Sequence, residues 1–401
     1  MDVIMVATAG SVDNGKSTLI GRLLHDTQSI LDDQMVAVAE ASRRYGYGHV
    51  NLALLTDGLR AEREQGITID VAYRYFATDR RSFILADTPG HERYTRNMVT
   101  GTADADIAVV LVDATRGVTD QTRRHMAVAA MVDVGVIVVA VNKMDLVGWD
   151  EGVYLKIVDT ADRFLWSFDN TPAVMPIPMS ALNGDNVVDR SVSSDWHTGP
   201  TLLEFLDQFV VERPCPGARL DVQWVIRHGK GRSYTGRLSG GCLAVGDRVF
   251  VFPSGEQSTV TALRHAGRPA EVAKPGQAIS VEIFDDLDIS RGDTLAAAPL
   301  TSVTTIAGAV CCFDGPMRRG SRWSFKHGSR TGMATIEAIE RFDMDGGREI
   351  VDELNVNDLG EVTVAVHPPI AAQPYRVHRE AGRMVLVNEQ TNAVAAAVML
   401  A

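Results

Sequence analysis

Short, almost unbroken apolar runs recur through the first half of the chain, separated by amphipathic stretches with helical spacing. "DVIMVAT" (2–8), "RSFILADT" (81–88), "DIAVVLVDA" (106–114), "VGVIVVAVNKMD" (134–145) and "AVMPIPMSAL" (173–182) are strand-like. Continuous apolar strands alternating with helices imply a mostly parallel sheet covered on both faces. Ligands of such sheets bind at the carboxyl ends of the strands, so the loops that follow these runs are where chemistry is expected. "GPTLLEFLDQFVV" (199–211) reads as the last helix of this region and the proline-bearing "ERPCPGAR" (212–219) as a linker. From Leu220 the pattern changes to short β-rich segments punctuated by Gly and Pro: "LDVQWVIRH", "RVFVFPSG", "QSTVTALRH" and "QAISVEIF". That texture predicts a small antiparallel barrel. "LAAAPLTSV" (295–303) marks a second, weaker boundary, with more of the same texture to the end.

Composition narrows the class. The 401 residues are 45% hydrophobic and 22% charged, as in a soluble globular protein of two or three domains. A net charge of −12 argues against non-specific binding to nucleic acid or anionic membranes. The four cysteines, Cys215, Cys242, Cys311 and Cys312, form no C-x-x-C pair, which predicts neither a zinc site nor a disulfide framework but reduced thiols in a cytoplasmic protein. Adjacent cysteines at 311 and 312 alternate faces on a strand, so one of them is expected in a core. The opening "MDVIMVATAG" lacks a basic leader, and no run reaches the ~20 apolar residues of a membrane span, so no membrane association is expected.

The loop after the first strand carries the first chemistry. "GSVDNGKST" (Gly10, Ser11, Val12, Asp13, Asn14, Gly15, Lys16, Ser17, Thr18) has the spacing of a phosphate loop, whose backbone N–H groups converge on phosphate oxygens at a helix N-terminus. By itself it leaves kinases, ATPases and GTPases open. "NKMD" (Asn142, Lys143, Asp145) ends another apolar strand and offers a carboxylate to accept both the N1 and N2 protons of guanine, a donor pair that adenine lacks. "SAL" (Ser180, Ala181, Leu182) follows the next strand and completes an expected base pocket, so GTP is the predicted nucleotide. In "ILADTPGHERY", Asp87 is placed to hold Mg²⁺ directly or through water, Gly90 to give its N–H to the γ-phosphate, and His91 to face the attacking water. Thr68 in "EREQGITID" would reach Mg²⁺ only beside a γ-phosphate, whereas Ser17 would be its constant ligand, the arrangement of a switch released by hydrolysis. "NKMD" alone could cap a helix and "DTPGHE" alone could form a turn; four such elements in order, each at a strand end, leave those readings little room.

Together these motifs resemble the translation-factor class of GTPases, in which "DTPGH" and "GITI" occur together. The longer stretches "GSVDNGKSTLIGRLLHDT", "LTDGLRAEREQGITIDVAYRYF", "SALNGDNV" and "LDISRGDTL" are similar to one branch, the GTPase subunit of the two-subunit bacterial sulfate adenylyltransferase. The similarity runs along most of the chain, densely to residue 210 and more thinly beyond.

The resemblance implies an α/β P-loop GTPase domain followed by two small antiparallel β-barrel domains, with expected boundaries 1–211, 212–300 and 301–401. It implies GTP hydrolysis coupled to formation of adenosine 5′-phosphosulfate and pyrophosphate from ATP and sulfate. The adenylyl transfer would occur on a separate ATP-binding catalytic subunit, in a heterodimer or higher oligomer. By similarity Lys16 neutralises the β- and γ-phosphates, Ser17, Thr68 and (through water) Asp87 serve Mg²⁺, His91 positions the nucleophile, and Asn142, Lys143 and Asp145 take the base. His91, Lys16 and Thr68 form the expected catalytic set. Asn14 stands where the family pattern has an acidic residue, which removes a charge expected near the polyphosphate. The sheet motifs leave open a tRNA-delivering factor and a stand-alone regulatory GTPase; the extended stretch before "GITI" and the acidic balance favour the sulfate branch.

Two features lie outside these motifs. "MRRGSRWSFKHGSR" (317–330) is a basic, aromatic-bearing island, read as an exposed barrel hairpin before a nucleic-acid contact. "RRYGYGHVN" (43–51) lies in the insertion between the phosphate loop and "GITI", a loop by default and a partner-sensing segment as the sharper reading.

Overall fold

The computed structural model describes residues 3–44, 50–55, 68, 70–168, 170–211, 214–228 and 231–401. Most of "EREQGITID" and the centre of "RRYGYGHVN" therefore lie outside the described residues, although Thr68 is inside them. The chain forms two compact units, the first built essentially of residues 1–211 and the second of the segments that follow.

The first unit is a six-stranded sheet. Its strands are β1 (Val3–Gly10), β2 (Ala72–Ala77), β3 (Ser82–Asp87), β4 (Ile107–Asp113), β5 (Val136–Asn142) and β6 (Ala173–Pro178). They run in the order β2-β3-β1-β4-β5-β6, with β2 antiparallel to β3 and every other neighbour parallel. All seven residues of β4 and of β5 are buried, which is why those strands read as unbroken apolar runs. On the β2 edge only Phe76 is buried, and Tyr73 and Tyr75 are exposed. The chain moves from β3 across β1 to β4, so strand order reverses at β1 and leaves a crevice beyond its carboxyl end.

Among the described residues this unit has six helices: α1 (Lys16–Asp26), α2 (Asp32–Arg44), α3 (Thr95–Thr102), α4 (Asp120–Met131), α5 (Glu151–Leu165) and α6 (Leu202–Gln208). Helix α1 packs Leu19, Ile20, Leu23 and Leu24 into the sheet core beside Val6, Leu85 and Val109, a face with helical spacing. Helix α6 starts at a full capping box, Thr201 accepting from the Glu204 backbone while the Glu204 carboxylate accepts from the Thr201 N–H.

The second unit holds two closed six-stranded antiparallel barrels. In the first, strands 218–221, 231–240, 248–252, 257–265, 278–283 and 294–296 form a ring closed by pairing of 248–252 with 257–265. In the second, strands 303–312, 322–327, 330–342, 359–370, 383–387 and 394–400 close where 322–327 pairs with 330–342. Each encloses its own apolar cluster, around Leu220, Tyr234 and Val281 in one and Phe325, Ile336 and Leu386 in the other.

The basic island at 317–330 is a hairpin of this second barrel. Trp323 and Phe325 point into the core while Arg322 and Lys326 alternate outward, so charge and aromatic rings do not share a face. Arg318 pairs with Glu353 at 2.9 Å and Arg330 with Asp293 at 3.4 Å. Both Cys311 and Cys312 are buried; Cys312 joins the barrel core, and Cys311 on the opposite face is equally covered. No disulfide joins the four cysteines, and no helix among the described residues is long and apolar enough to cross a membrane.

Candidate functional site

Three parallel strands end at residues singled out by the sequence, β1 at Gly10, β3 at Asp87 and β5 at Asn142, and β4 ends between them at Asp113, which no motif marked. Between β1 and α1 the chain turns through positive φ at Asp13 and Gly15. A Cβ on Gly15 would strike the Asn142 amide as well as strain the left-handed backbone, so the loop needs glycine there. The turn delivers Lys16 to the start of α1.

Beside this loop lies a cavity of about 900 Å³, large enough for a nucleotide. Gly10 to Asp13, Gly15 to Thr18, Thr68, Gly90, Asn142, Lys143, Asp145, Ser180 and Leu182 line it. Among the described residues nothing hydrogen-bonds the buried Ser11 hydroxyl on its wall. An orphaned polar atom and a ring of phosphate-loop backbone fit a polar ligand better than an apolar one.

Lys16 is almost fully buried and its ammonium gathers the neighbouring site groups. It donates to the Asp87 carboxylate at 2.7 Å, to the Thr68 hydroxyl at 3.1 Å and to the Thr88 carbonyl. Asp87, buried in its ion pair with Lys16, does not itself line the cavity. Ser17, Thr68 and Asp87 offer oxygen donors only, a set suited to a hard cation such as Mg²⁺. No cluster of three His, Cys, Asp or Glu ligands occurs among the described residues, so any cation here would depend on hydroxyl and ligand oxygens as well.

Asn142 does something the sequence did not announce. Its Nδ2 donates to the Asn14 carbonyl at 2.8 Å, and its Oδ1 accepts from the Ala181 N–H at 2.8 Å. The amide thus ties the phosphate loop to the "SAL" loop. Asn14 itself turns inward, donating from its side chain to the Leu111 carbonyl of β4 at 2.9 Å. The charge that an acidic residue would place at this position is therefore missing from the interior, not from the face of the cavity.

Lys143 binds Asp113 at 2.7 Å. Burial works to raise the Asp113 pKa, but hydrogen bonds from Lys143 and Thr115 outweigh it and hold the carboxyl below its ordinary range. Asp145 faces the cavity from a short 3₁₀ turn, and no group among the described residues hydrogen-bonds its carboxylate. Arg22 of α1 donates to the carbonyls of Ala181 and Leu182 and so braces the third loop. The exposed side chains of Leu146 and Leu182 stand at the mouth, where they can cover the faces of a planar base.

His91 is outside the cavity lining. It caps the 3₁₀ turn Glu92–Tyr94, its Nδ1 accepting from the Arg93 N–H at 3.2 Å. Gly90 packs so closely on Gly10 that any side chain there would overlap the Gly10 carbonyl. Sequence reasoning missed one whole wall: Ala37, Val38, Ala41 and Arg44 of α2, with Asn51, Ala53 and Leu54, also line the cavity. No motif marks them, because only the return of α2 over the loop brings them there.

Residues 1–212 match the elongation factor Tu GTP-binding domain family, and residues 305–400 match the GTP-eEF1A C-terminal domain-like family. Over the whole chain the fold is similar to the GTPase-like domain of S. cerevisiae Ski7, bound to GDP and inorganic phosphate (TM-score 0.52, 18% identity, 100% of this chain and 97% of that one). Fold, phosphate loop and guanine element together define a GTP-binding protein of the translation-factor class.

Within that class the likeness is specific. The chain is 44% identical to sulfate adenylyltransferase subunit 1 of Methylorubrum extorquens (strain PA1), over 98% of its own length and 86% of that protein's. It is 43% identical to the protein of the same name in Aeromonas hydrophila, with 98% and 85% covered. It is 42% identical to the bifunctional enzyme CysN/CysC of Mycobacterium tuberculosis (strain ATCC 25618 / H37Rv), covering 99% of this chain and 67% of that one. The chain belongs to the sulfate adenylyltransferase subunit 1 family.

Proposed function

We propose that this chain is the GTP-hydrolysing, energy-coupling subunit of a two-subunit sulfate adenylyltransferase. GTP hydrolysis here drives formation of adenosine 5′-phosphosulfate and pyrophosphate from ATP and sulfate on a separate, ATP-binding catalytic subunit, in the cytoplasm. The observation that carries this reading is the union of one phosphate loop with one guanine-selective carboxylate in a single cavity, in a chain of this family. The sequence holds no second phosphate loop for ATP.

In this reading Lys16 exchanges Asp87 for the β- and γ-phosphates when nucleotide enters, since a polyphosphate offers it more negative charge than one carboxylate. Ser17, Thr68 and, through water, Asp87 would hold Mg²⁺, which neutralises phosphate charge when bound. Asp145 accepts the guanine N1 and N2 protons, with Lys143 and the two leucines against the ring and Asn142 holding the two loops at the right separation. Gly90 gives its N–H to the γ-phosphate. His91 swings from its capping role to orient the attacking water. Domain limits of 1–211, 212–300 and 301–401 complete the proposal.

The test is the steady-state GTPase rate of this chain, alone and with a candidate catalytic subunit, each with and without ATP plus sulfate. A rise that requires the subunit and both substrates is the expected result. A rate indifferent to all three overturns the coupling.

A further inference from the structure

On α4, one turn apart, Gln121 and His125 face the loop that carries Gly90. The Gln121 Nε2 donates to the Gly90 carbonyl at 3.2 Å and lies 2.9 Å from the Nε2 of His125. An amide nitrogen has two hydrogens and no lone pair to offer, so His125 must accept at Nε2 and carry its proton on Nδ1. That Nδ1 is buried with no hydrogen-bond partner among the described residues. The imidazole is 1% exposed, and its burial, with the nearby Lys16 and Arg124 charges adding, pushes its pKa down to about 3, so it stays neutral. An aliphatic side chain would fill the same space without an orphaned N–H. What the imidazole adds is an acceptor that turns the Gln121 amide toward Gly90.

We propose that Gln121, oriented by His125, is a positioning residue for GTP hydrolysis: it holds the carbonyl of Gly90, and with it the peptide that joins Gly90 to His91. That peptide sets where the Gly90 N–H and the His91 ring can reach. Movement of this loop after hydrolysis would break the Gln121 bond, so the same contact links the loop to α4. The inference rests on the reading of Gly90 and His91 above.

Single-turnover GTP hydrolysis by the full chain tests it, with Gln121→Leu, His125→Leu, His125→Gln, His91→Ala and the Gln121→Leu/His91→Ala double variant. Gln121→Leu should lower kcat by about tenfold, the rate equivalent of one hydrogen bond, with the KM for GTP unchanged within about twofold. His125→Leu should do the same, and His125→Gln, which restores an acceptor, should stay nearer the parent. The double variant should lose clearly less than the product of the two single losses, because part of the glutamine's effect runs through His91. A slow His91→Ala beside an unchanged Gln121→Leu, or additive losses in the double variant, overturns the positioning role. A His91→Ala variant with the parent rate overturns the underlying reading of His91 instead. Gln121 is partly exposed, so its replacement leaves the fold intact, and the melting temperature checks this.

Discussion

Asp145 and Asn142 stand three positions apart in one motif, and they do different work. Asn142 spends both ends of its amide on protein groups, Asn14 and Ala181, and is a strut. Asp145 has no such partner among the described residues and lines the cavity, where the proposed reading has it select the base. Replacing it with Asn swaps one of the two acceptor sites for a donor that opposes the guanine protons. Asp145→Asn should lower the preference for GTP over ATP by at least ~10-fold, since a charge-assisted hydrogen bond is lost and a buried donor goes unmet. Competition binding with a fluorescent GTP analogue measures this, and an unchanged preference would remove Asp145 from the base pocket. The sequence announced the carboxylate because its geometry is local to one turn. It could not announce the amide's role, whose partners lie 128 and 39 positions away.

Helix α4 illustrates how an element serves a site it does not line. Thr119 caps it, accepting from the Thr122 N–H, and the following turns present Gln121 and His125 toward the β3 loop. The neutral, buried His125 has a consequence for stability. Between about pH 3 and 6.5 the unfolded chain takes up a proton that the native imidazole refuses, so the unfolded state binds more protons and stability rises with pH through that window. Above it this group contributes no slope. Denaturant unfolding at pH 5 and pH 7 should show a parent that loses stability on acidification, by at most ~1.4 kcal/mol per pH unit from this group, and a His125→Gln variant that loses less. Equal slopes would mean that His125 is protonated in the native chain. Elements were legible to unequal degrees. β4 and β5, buried on both faces, stood out as apolar runs, whereas β2 did not: it is an edge strand with a single buried residue, and its pattern carries little hydrophobic signal.

For the whole molecule, the second unit carries all four cysteines in sharply different settings. Cys215 and Cys242 are exposed, while Cys311 and Cys312 are buried and burial pushes the Cys312 thiol up to about 11. A thiol reagent should therefore label two cysteines of the native chain quickly, and the other pair only as the second barrel opens. Four thiols of equal reactivity would contradict this packing. At this scale the division of labour between chain and fold is plain. The sequence by itself determined the order of a parallel α/β region and β-rich segments, and the choice of GTP, because phosphate and guanine are recognised by short motifs whose geometry is local. Only the tertiary structure decided that α2 walls the cavity, that Asn14 braces β4, that Asn142 ties two loops together and that Gln121 holds Gly90. The wall and the three hydrogen bonds alike join residues that chain folding, not sequence spacing, brings together.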